Sequence, residues 1–207
     1  MGESGLMTFV EWYAGVEEAH YLLADYPDEV EELFDVMHQN FLKRFEVSIE
    51  HSPADTLHLL ENTSTTLISP GQYEEYCYPQ IVQYGNMAHQ GGQKLMLHMC
   101  GHLKAILPLL GNLPADAFEA FTTPTIGNAT LAEGRAACPD KCLVGGTNAL
   151  VWLESAEDII KYIEEGLESL PHHRGIFMSS GGEMPRDCAP ETIQKVKAWL
   201  DTYPLRF

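Results

Sequence analysis

Lys94-Leu95-Met96-Leu97-His98-Met99-Cys100-Gly101 is an apolar run that turns polar at its carboxyl end and closes on a glycine. We predict a β-strand over residues 94–99, because the run is short and apolar. Gly101, just past the strand, lets the backbone turn tightly. A short helix is predicted near residues 103–110. The segment therefore predicts one strand followed by one helix, with polar side chains where the two meet.

The same alternation extends to both sides of this strand. Four further short apolar runs are predicted as strands, and capped helices separate them. Alternation of this kind predicts a parallel α/β sheet with helices outside, and strands that are apolar on both sides indicate burial on both faces. A doubly wound open sheet and a (β/α)8 barrel both fit the pattern. The four additional strands are Thr56 to Leu60, Ala117 to Phe121, Cys142 to Gly146 and Gly175 to Ser179.

The first part of the chain has a different pattern. Residues 1–50 are predicted to form an N-terminal helical segment, and residues 51–207 form the β/α part. Phe9, Trp12 and Tyr13 open a helix-spaced apolar stripe. Pro27 then begins a second helix.

Composition and charge exclude several classes of protein. The chain has 207 residues, with 30 acidic against 12 basic side chains and a formal net charge of -18. A chain this acidic is repelled by phosphate backbones and anionic bilayers, so neither nucleic acid nor a membrane surface is an expected partner. The sequence lacks an apolar run of transmembrane length and a basic signal-peptide start. Its five cysteines are an odd number. We therefore predict a cytoplasmic protein with free thiols, some of which bind metal.

Polar residues follow every predicted strand at its carboxyl end. Barrels and open α/β sheets both place their sites at that end, where the βα loops converge. We assign a catalytic role to Glu61 and substrate-binding roles to Asn62, Asn148 and Glu183. The full set is Glu61, Asn62, His98, Cys100, Thr122, Thr123, Thr147, Asn148, Ser179, Ser180 and Glu183.

His98 and Cys100 form the sharpest single feature. Residues i and i+2 of a strand point to the same side, so the two side chains can offer an imidazole nitrogen and a thiolate to one metal ion. Sulfur combined with nitrogen suits Zn²⁺ best. The alternative is a buried histidine and a small apolar cysteine in a packed strand, which composition alone favours.

Several segments together resemble the uroporphyrinogen decarboxylase superfamily, and most closely its methyltransferase branch. Residues 97–103 resemble the family's H-x-C-G segment, and residues 68–76 resemble its "I-S-P-x-x-[FY]-E-E" helix start. The matches occur in the family's order over nearly the whole chain from about Asp25. The remaining matches are Asp25 to Val30, Tyr78 to Ile81, and Gly181 through Pro185 to Ile193.

The resemblance implies a TIM-type (β/α)8 barrel. A complete barrel has eight strands and about 250 residues, so five predicted strands imply an incomplete barrel made of about the last five βα units. In the corrinoid:coenzyme M methyltransferases of this superfamily, zinc held by the H-x-C pair and a later cysteine binds a thiol. The thiolate then attacks the methyl group of a cobalamin. His98 and Cys100 match the pair.

The third zinc ligand of the family does not match directly. The family's cysteine position is Gly182 here, and Cys188 lies six residues later. We take Cys188 as the candidate third ligand, with Glu183 and Glu61 as alternative oxygen ligands. The expected cofactors are zinc and, as a co-substrate on a partner protein, a corrinoid.

Four functions fit the sequence. The first is zinc-dependent methyl transfer to a small thiol. The second is a uroporphyrinogen decarboxylase-type lyase, which the acidic chain and its five scattered arginines disfavour, since a polyanionic substrate needs cationic partners. The third is a non-catalytic binding or assembly fragment of a split barrel, completed by a second copy or a partner chain at its open sheet edges. The fourth is a metal-free small-molecule binder.

Overall fold

Five parallel strands form one sheet in the computed structural model, which describes residues 4–207. Each strand pairs with the next strand along the chain, from the first to the fifth. A doubly wound sheet reverses its strand order at a switch point, whereas a (β/α)8 barrel adds its strands in sequence. The prediction of an incomplete (β/α)8-type barrel is confirmed. The strands are β1 (Thr56–Leu60), β2 (Lys94–His98), β3 (Ala117–Phe121), β4 (Cys142–Gly146) and β5 (Ile176–Ser179).

Helices precede the sheet and fill every connection within it. Side-chain caps begin several of them. The hydroxyl groups of Ser69 and Thr130 accept hydrogen bonds from the backbone N–H groups of Gln72 and Glu133, as capping boxes require. The α-helices are α1 (Gly5–Thr8), α2 (Val16–Asp25), α3 (Pro27–His51), α4 (Pro70–Gln72), α5 (Tyr78–Gln90), α6 (Leu107–Asn112), α7 (Leu131–Ala137), α8 (Ala156–Glu168) and α9 (Pro190–Leu200). Phe9–Ala14 and Tyr73–Cys77 are π-helical, and Lys104–Ile106 and Ala149–Leu153 are 3₁₀ turns.

The helices cover one face of the sheet, which is the outer face of the barrel. Leu59, Leu97 and Phe118 on this face are almost completely inaccessible to solvent. Helix α3 packs an aromatic stripe against α5, and the rings of Phe41 and Tyr84 lie 4.6 Å apart in an edge-on arrangement. The hydrophobic core therefore lies between the sheet and its helices.

The inner face of the sheet is open in the described chain, which corrects the prediction that the strands are buried on both sides. Phe177 is 59% exposed and Leu60 is 44% exposed. A cavity of about 480 Å³ lies over the amino-terminal half of this face, with Met96 and Val144 in its wall. In a closed barrel these side chains fill the interior, which needs eight strands to enclose it.

The N-terminal stripe also differs from its prediction. Trp12 and Tyr13 are more than 70% exposed, at 72% and 73%, whereas Phe9 and Val10 are buried. The reason is local geometry, since this segment is a π-helix and its wider turn does not follow the 3.6-residue spacing. Gly15, at a φ of 78°, then separates the π-helical segment from α2.

Within residues 4–207, none of the helices combines the length and the apolar character that a membrane span requires. The longest helix, α3, has 25 residues and carries exposed charged side chains such as Glu31, Asp35 and Glu46. The cytoplasmic location stays a prediction.

Candidate functional site

The loop after β1 and the end of β2 are held together by backbone hydrogen bonds. The carbonyl oxygen of His98 accepts hydrogen bonds from the N–H groups of Glu61 at 3.1 Å and Asn62 at 2.9 Å. Gly101 has a φ of 137°, and a Cβ there would lie only 2.7 Å from the Ser64 hydroxyl oxygen. The predicted role of this glycine is therefore visible in the packing, since only glycine lets the two loops approach this closely.

Three of the predicted site residues lie together at this point. Cys100 is the main cause that raises the pKa of His98 to about 9; the Glu119 carboxylate adds to the effect and burial opposes it. The Cys100 sulfur also lies 4.0 Å from the side-chain oxygen of Asn62. The Asn62 amide nitrogen donates in turn to Glu11 at 3.0 Å. An imidazole, a thiol and a carboxamide thus meet at the carboxyl end of β2.

Two further residues join His98 that the sequence analysis did not single out. Oε2 of Glu119 on β3 lies 2.5 Å from Nδ1 of His98. The same oxygen lies 3.6 Å from Nε2 of His58 on β1. Burial lowers the pKa of His58, the nearby Glu119 carboxylate opposes this effect, and His98 reinforces it. One carboxylate oxygen is therefore shared by two imidazoles from different strands.

A distortion of β3 accompanies the position of Glu119. The pairing of β3 with β4 shifts register between Phe118 and Phe121. Ala120 adopts a φ of 57°, a left-handed conformation that a residue with a side chain rarely takes. Bulges of this kind often lie beside functional sites, where they change the direction of a side chain. The distortion directly follows Glu119 in the chain.

Glu61 lies in a different environment from the one predicted for a catalytic residue. Its side chain is completely buried. Its carboxylate accepts hydrogen bonds from the Ser4 backbone N–H at 2.8 Å and from the Ser4 hydroxyl at 2.6 Å. A carboxylate held this way links the N-terminal segment to the sheet, and the catalytic role stays a prediction.

Asn148, Glu183 and Cys188 lie outside the group around His98. Asn148 caps the 3₁₀ turn Ala149–Leu153, since it accepts from the Val151 N–H at 3.3 Å and donates to the Pro124 carbonyl oxygen at 2.6 Å. Glu183 is exposed, and Cys188 is buried in the hydrophobic core. Among residues 4–207, the side chains that place three metal-ligating atoms within 4.8 Å of one another are His58, His98 and Glu119.

The side chains around His98 fit the zinc ion that the family resemblance implies. Zinc in proteins takes imidazole nitrogen, thiolate sulfur and carboxylate oxygen, and all three donor types meet around His98. Gly182, at the position of the family's later cysteine, has a φ of 137° and no side chain to contribute. A third ligand must therefore come from elsewhere in the chain.

Five sequential βα units, with Asn62 after the carboxyl end of β1 and His98 at that of β2, place the chain in the class of (β/α)8-barrel proteins. The sequence pattern described as Uroporphyrinogen decarboxylase (URO-D) matches residues 10–203. The chain belongs to this family. No functionally curated protein matches the chain by sequence.

A solved structure described as a methyltransferase from Methanosarcina mazei has a similar fold. The two chains superpose with a TM-score of 0.75 at 16% sequence identity, over 97% of this chain and 57% of the other. The chain thus spans little more than half the length of that methyltransferase. At this identity the likeness establishes a common fold, and it confirms the barrel-type architecture predicted from the sequence.

Proposed function

We propose that this URO-D-family chain takes part in zinc-dependent transfer of a methyl group from a corrinoid to a small thiol. The observation that carries the proposal is the placement of His98 at the carboxyl end of β2 with Cys100 two residues later, where the Cys100 sulfur lies 4.0 Å from the side-chain oxygen of Asn62. This end of the strands is where barrel enzymes carry their chemistry. The fold shared with a methyltransferase supports the same reaction class.

In this proposal His98 and Cys100 supply an imidazole nitrogen and a thiolate to the zinc ion. Bound zinc lowers the pKa of a thiol and holds it as the thiolate. Asn62, whose side-chain oxygen lies 4.0 Å from the Cys100 sulfur, contacts the bound substrate. The buried loops after β1 and β2 keep this arrangement in place through the bonds to the His98 carbonyl oxygen.

The proposed reaction is a single displacement. The thiol loses its proton, and the thiolate sulfur attacks the methyl carbon of the methylated corrinoid. A sulfur–carbon bond forms while the cobalt–carbon bond breaks, and the electron pair of that bond stays on cobalt as cob(I)alamin. The products are a methyl thioether, the reduced corrinoid and the thiol proton, which passes to the solvent, so no further oxidant or reductant is needed.

The arginines of the chain disfavour a decarboxylase of polyanionic porphyrinogens. The guanidinium of Arg135 donates to the carbonyl oxygens of Cys138, Pro139 and Lys141, near the amino end of β4. Arg206 donates to the carbonyl oxygens of Leu167 and Leu170, at the carboxyl end of α8. Because both groups are engaged with backbone carbonyls, they are not placed to bind the carboxylates of a substrate at the other end of the sheet.

A second candidate is a barrel portion that acts only with its remaining βα units. The open inner face favours it, since Leu60 and Phe177 are exposed where a closed barrel would bury them. A second copy or a partner chain would then cover this face. Size-exclusion chromatography with light scattering tests this candidate: a compact monomer with one cooperative melt contradicts it.

The test of the methyl-transfer proposal uses zinc-loaded protein, methylcobalamin and coenzyme M as the thiol. We expect the absorbance of methylcobalamin to be replaced by that of cob(I)alamin under anaerobic conditions, and Cys100→Ser to abolish this change. Cys142→Ser is the matched control, because Cys142 is a partly buried cysteine at the amino end of β4. Equal rates for wild type and Cys100→Ser, or turnover of uroporphyrinogen by the wild type, would overturn the proposal.

A further inference from the structure

Three adjacent strands each direct one potential metal ligand to the inner face of the sheet. His98 on β2 pairs directly with Glu119 on β3, and Leu60 on β1 pairs with His98 on its other side. His58 lies two residues before Leu60 and therefore points to the same face. The three side chains thus come together through strand register, with His98 at the carboxyl end of β2 and His58 and Glu119 at the middle of β1 and β3.

The size of this group matches a metal-binding site. The three ligand atoms all lie within 4.8 Å of one another. A tetrahedral zinc ion with bonds of about 2.0–2.2 Å holds its ligand atoms about 3.3–3.6 Å apart. Of the two contacts to the Glu119 oxygen, the one from His58 is 3.6 Å and the one from His98 is 2.5 Å. Small rotations of the side chains around an ion suffice to reach the coordinated spacing.

The surroundings of the group favour a bound cation. The side chains of His58, His98 and Glu119 are 37%, 21% and 25% exposed, respectively. The inner face beside them is mostly apolar, with Met96 and Val144 among its side chains. Positive charge stabilises a partly buried carboxylate, and a metal ion supplies that charge in place of the protonated imidazole. In the described part of the chain, the ion-pair partners of Glu119 are the two histidines.

We propose that His58, His98 and Glu119 form a divalent-metal site, with zinc as the preferred ion. Two imidazoles and one carboxylate are the ligand set of catalytic zinc sites that keep a position open for water or substrate. Cys100 follows His98 by two residues, just past the carboxyl end of β2. His58 and Glu119 thereby take the place that the sequence analysis gave to Cys188, Glu183 or Glu61. The proposal rests on the proposed function for His98 as a ligand, and it requires neither a corrinoid nor methyl transfer.

Zinc affinity of the purified chain tests the site without any substrate. The affinity is measured by competition with a chromophoric chelator, for wild type, His58→Gln and Glu119→Gln. We expect each variant to bind zinc more weakly by a factor of about 10 to 100 or more. Loss of a residue that only orients a metal ligand already weakens binding by about that factor. His89→Gln is the matched control, because His89 also contacts a carboxylate, that of Asp116, at 2.7 Å.

His58→Gln decides between a ligand and a supporting role. If Glu119 only orients His98, then Glu119→Gln weakens zinc binding while His58→Gln binds zinc as the wild type does, and the proposal is overturned. Loss of affinity in both variants, with melting temperatures of the zinc-free proteins close to that of the wild type, supports it. Cobalt(II) substitution separates this result from the proposed function. A thiolate-to-cobalt absorption band that Cys100→Ser removes supports Cys100 as a further ligand, whereas a spectrum without that band supports the three-residue site and contradicts the proposed function.

Discussion

Strands β2 and β3 have a histidine–carboxylate cluster near each end, and the two clusters differ in their partners. Near the amino ends, Asp116 binds the His89 imidazole at 2.7 Å, the buried Leu95 backbone N–H at 2.9 Å and the Lys94 ammonium at 3.0 Å. Near the carboxyl ends, Glu119 has His58 and His98 as its ion partners in the described chain. Asp116 thus accepts a hydrogen bond from a backbone N–H group and pairs with the ammonium of Lys94, which is typical of a carboxylate with a structural role. The Glu119 carboxylate is shared by two imidazoles, which are potential metal ligands.

The difference follows the general design of barrels. Residues at the amino-terminal side of the sheet serve stability, and residues at the carboxyl-terminal side carry the chemistry. Residue type alone therefore does not identify a site, since both clusters contain histidine and a carboxylate. The two clusters differ in their partners. The backbone N–H group of Leu95 donates to Asp116, whereas Glu119 is paired with the imidazoles of His58 and His98.

The largest effect is expected for His98→Ala compared with His89→Ala. His98→Ala removes the residue shared by both proposed sets of zinc ligands, so the variant should lose its bound zinc and its reaction with methylcobalamin. His89→Ala should keep both, because His89 contacts Asp116 near the opposite end of β2. Metal analysis by mass spectrometry and the methylcobalamin assay measure the two results. Equal zinc content in the two variants would show that the clusters do not differ in function.

The fold could be predicted from the sequence to a large extent, because short apolar runs and capping residues are local signals. The predicted limits of β1, β3 and β4 are those observed, and β2 and β5 differ from their predictions by one residue. The choice between an open sheet and a barrel depended on strand order, which the apolar pattern does not contain. The family resemblance supplied it.

The site was predicted in part, for a physical reason. His98 and Cys100 could be paired from one strand, since the i and i+2 rule is local. His58 and Glu119 were missed because their approach to His98 depends on the register between strands and on the bulge at Ala120. The sequence contained a weak signal, since His58 and Glu119 each lie between apolar residues at the middle of a predicted strand. Glu61 was assigned a catalytic role from its position after β1. Its hydrogen bonds to Ser4 could not be predicted, because Ser4 is distant in sequence.

The second-largest effect is expected on the stability of the Asp116→Ala variant. Asp116→Ala should lower the free energy of unfolding by about 1–3 kcal/mol, because the buried Leu95 N–H loses its acceptor. Glu119→Ala leaves no backbone N–H group without its partner, so its effect on zinc-free protein should be smaller. Urea denaturation followed by circular dichroism measures both values. A larger loss in Glu119→Ala than in Asp116→Ala would reverse the roles assigned to the two clusters.

The third effect is a dependence of stability on acid pH. Burial of Asp116 opposes ionisation, but hydrogen bonds from His89, the Leu95 N–H and Lys94 lower the pKa of this carboxyl below its ordinary value of 3.8. A carboxyl with a lowered folded-state pKa stabilises the protein above the unfolded pKa, and this stabilisation is lost as the pH falls through the folded value. Melting temperatures between pH 5 and pH 3 should therefore fall less steeply in Asp116→Asn than in the wild type. Parallel curves would contradict the assignment.

The smallest effect is expected for Lys94→Met. Lys94 lies 3.0 Å from Asp116, but its side chain is 65% exposed, so water screens most of the attraction. Removal of an exposed pair of this kind changes the free energy of unfolding by about 0.2–1 kcal/mol, and less at high salt. Zinc affinity should stay at the wild-type value, because the amino-terminal cluster takes no part in metal binding. A change in zinc affinity that high salt abolishes would instead mean that this lysine acts on the Glu119 cluster through the electrostatic field along β2.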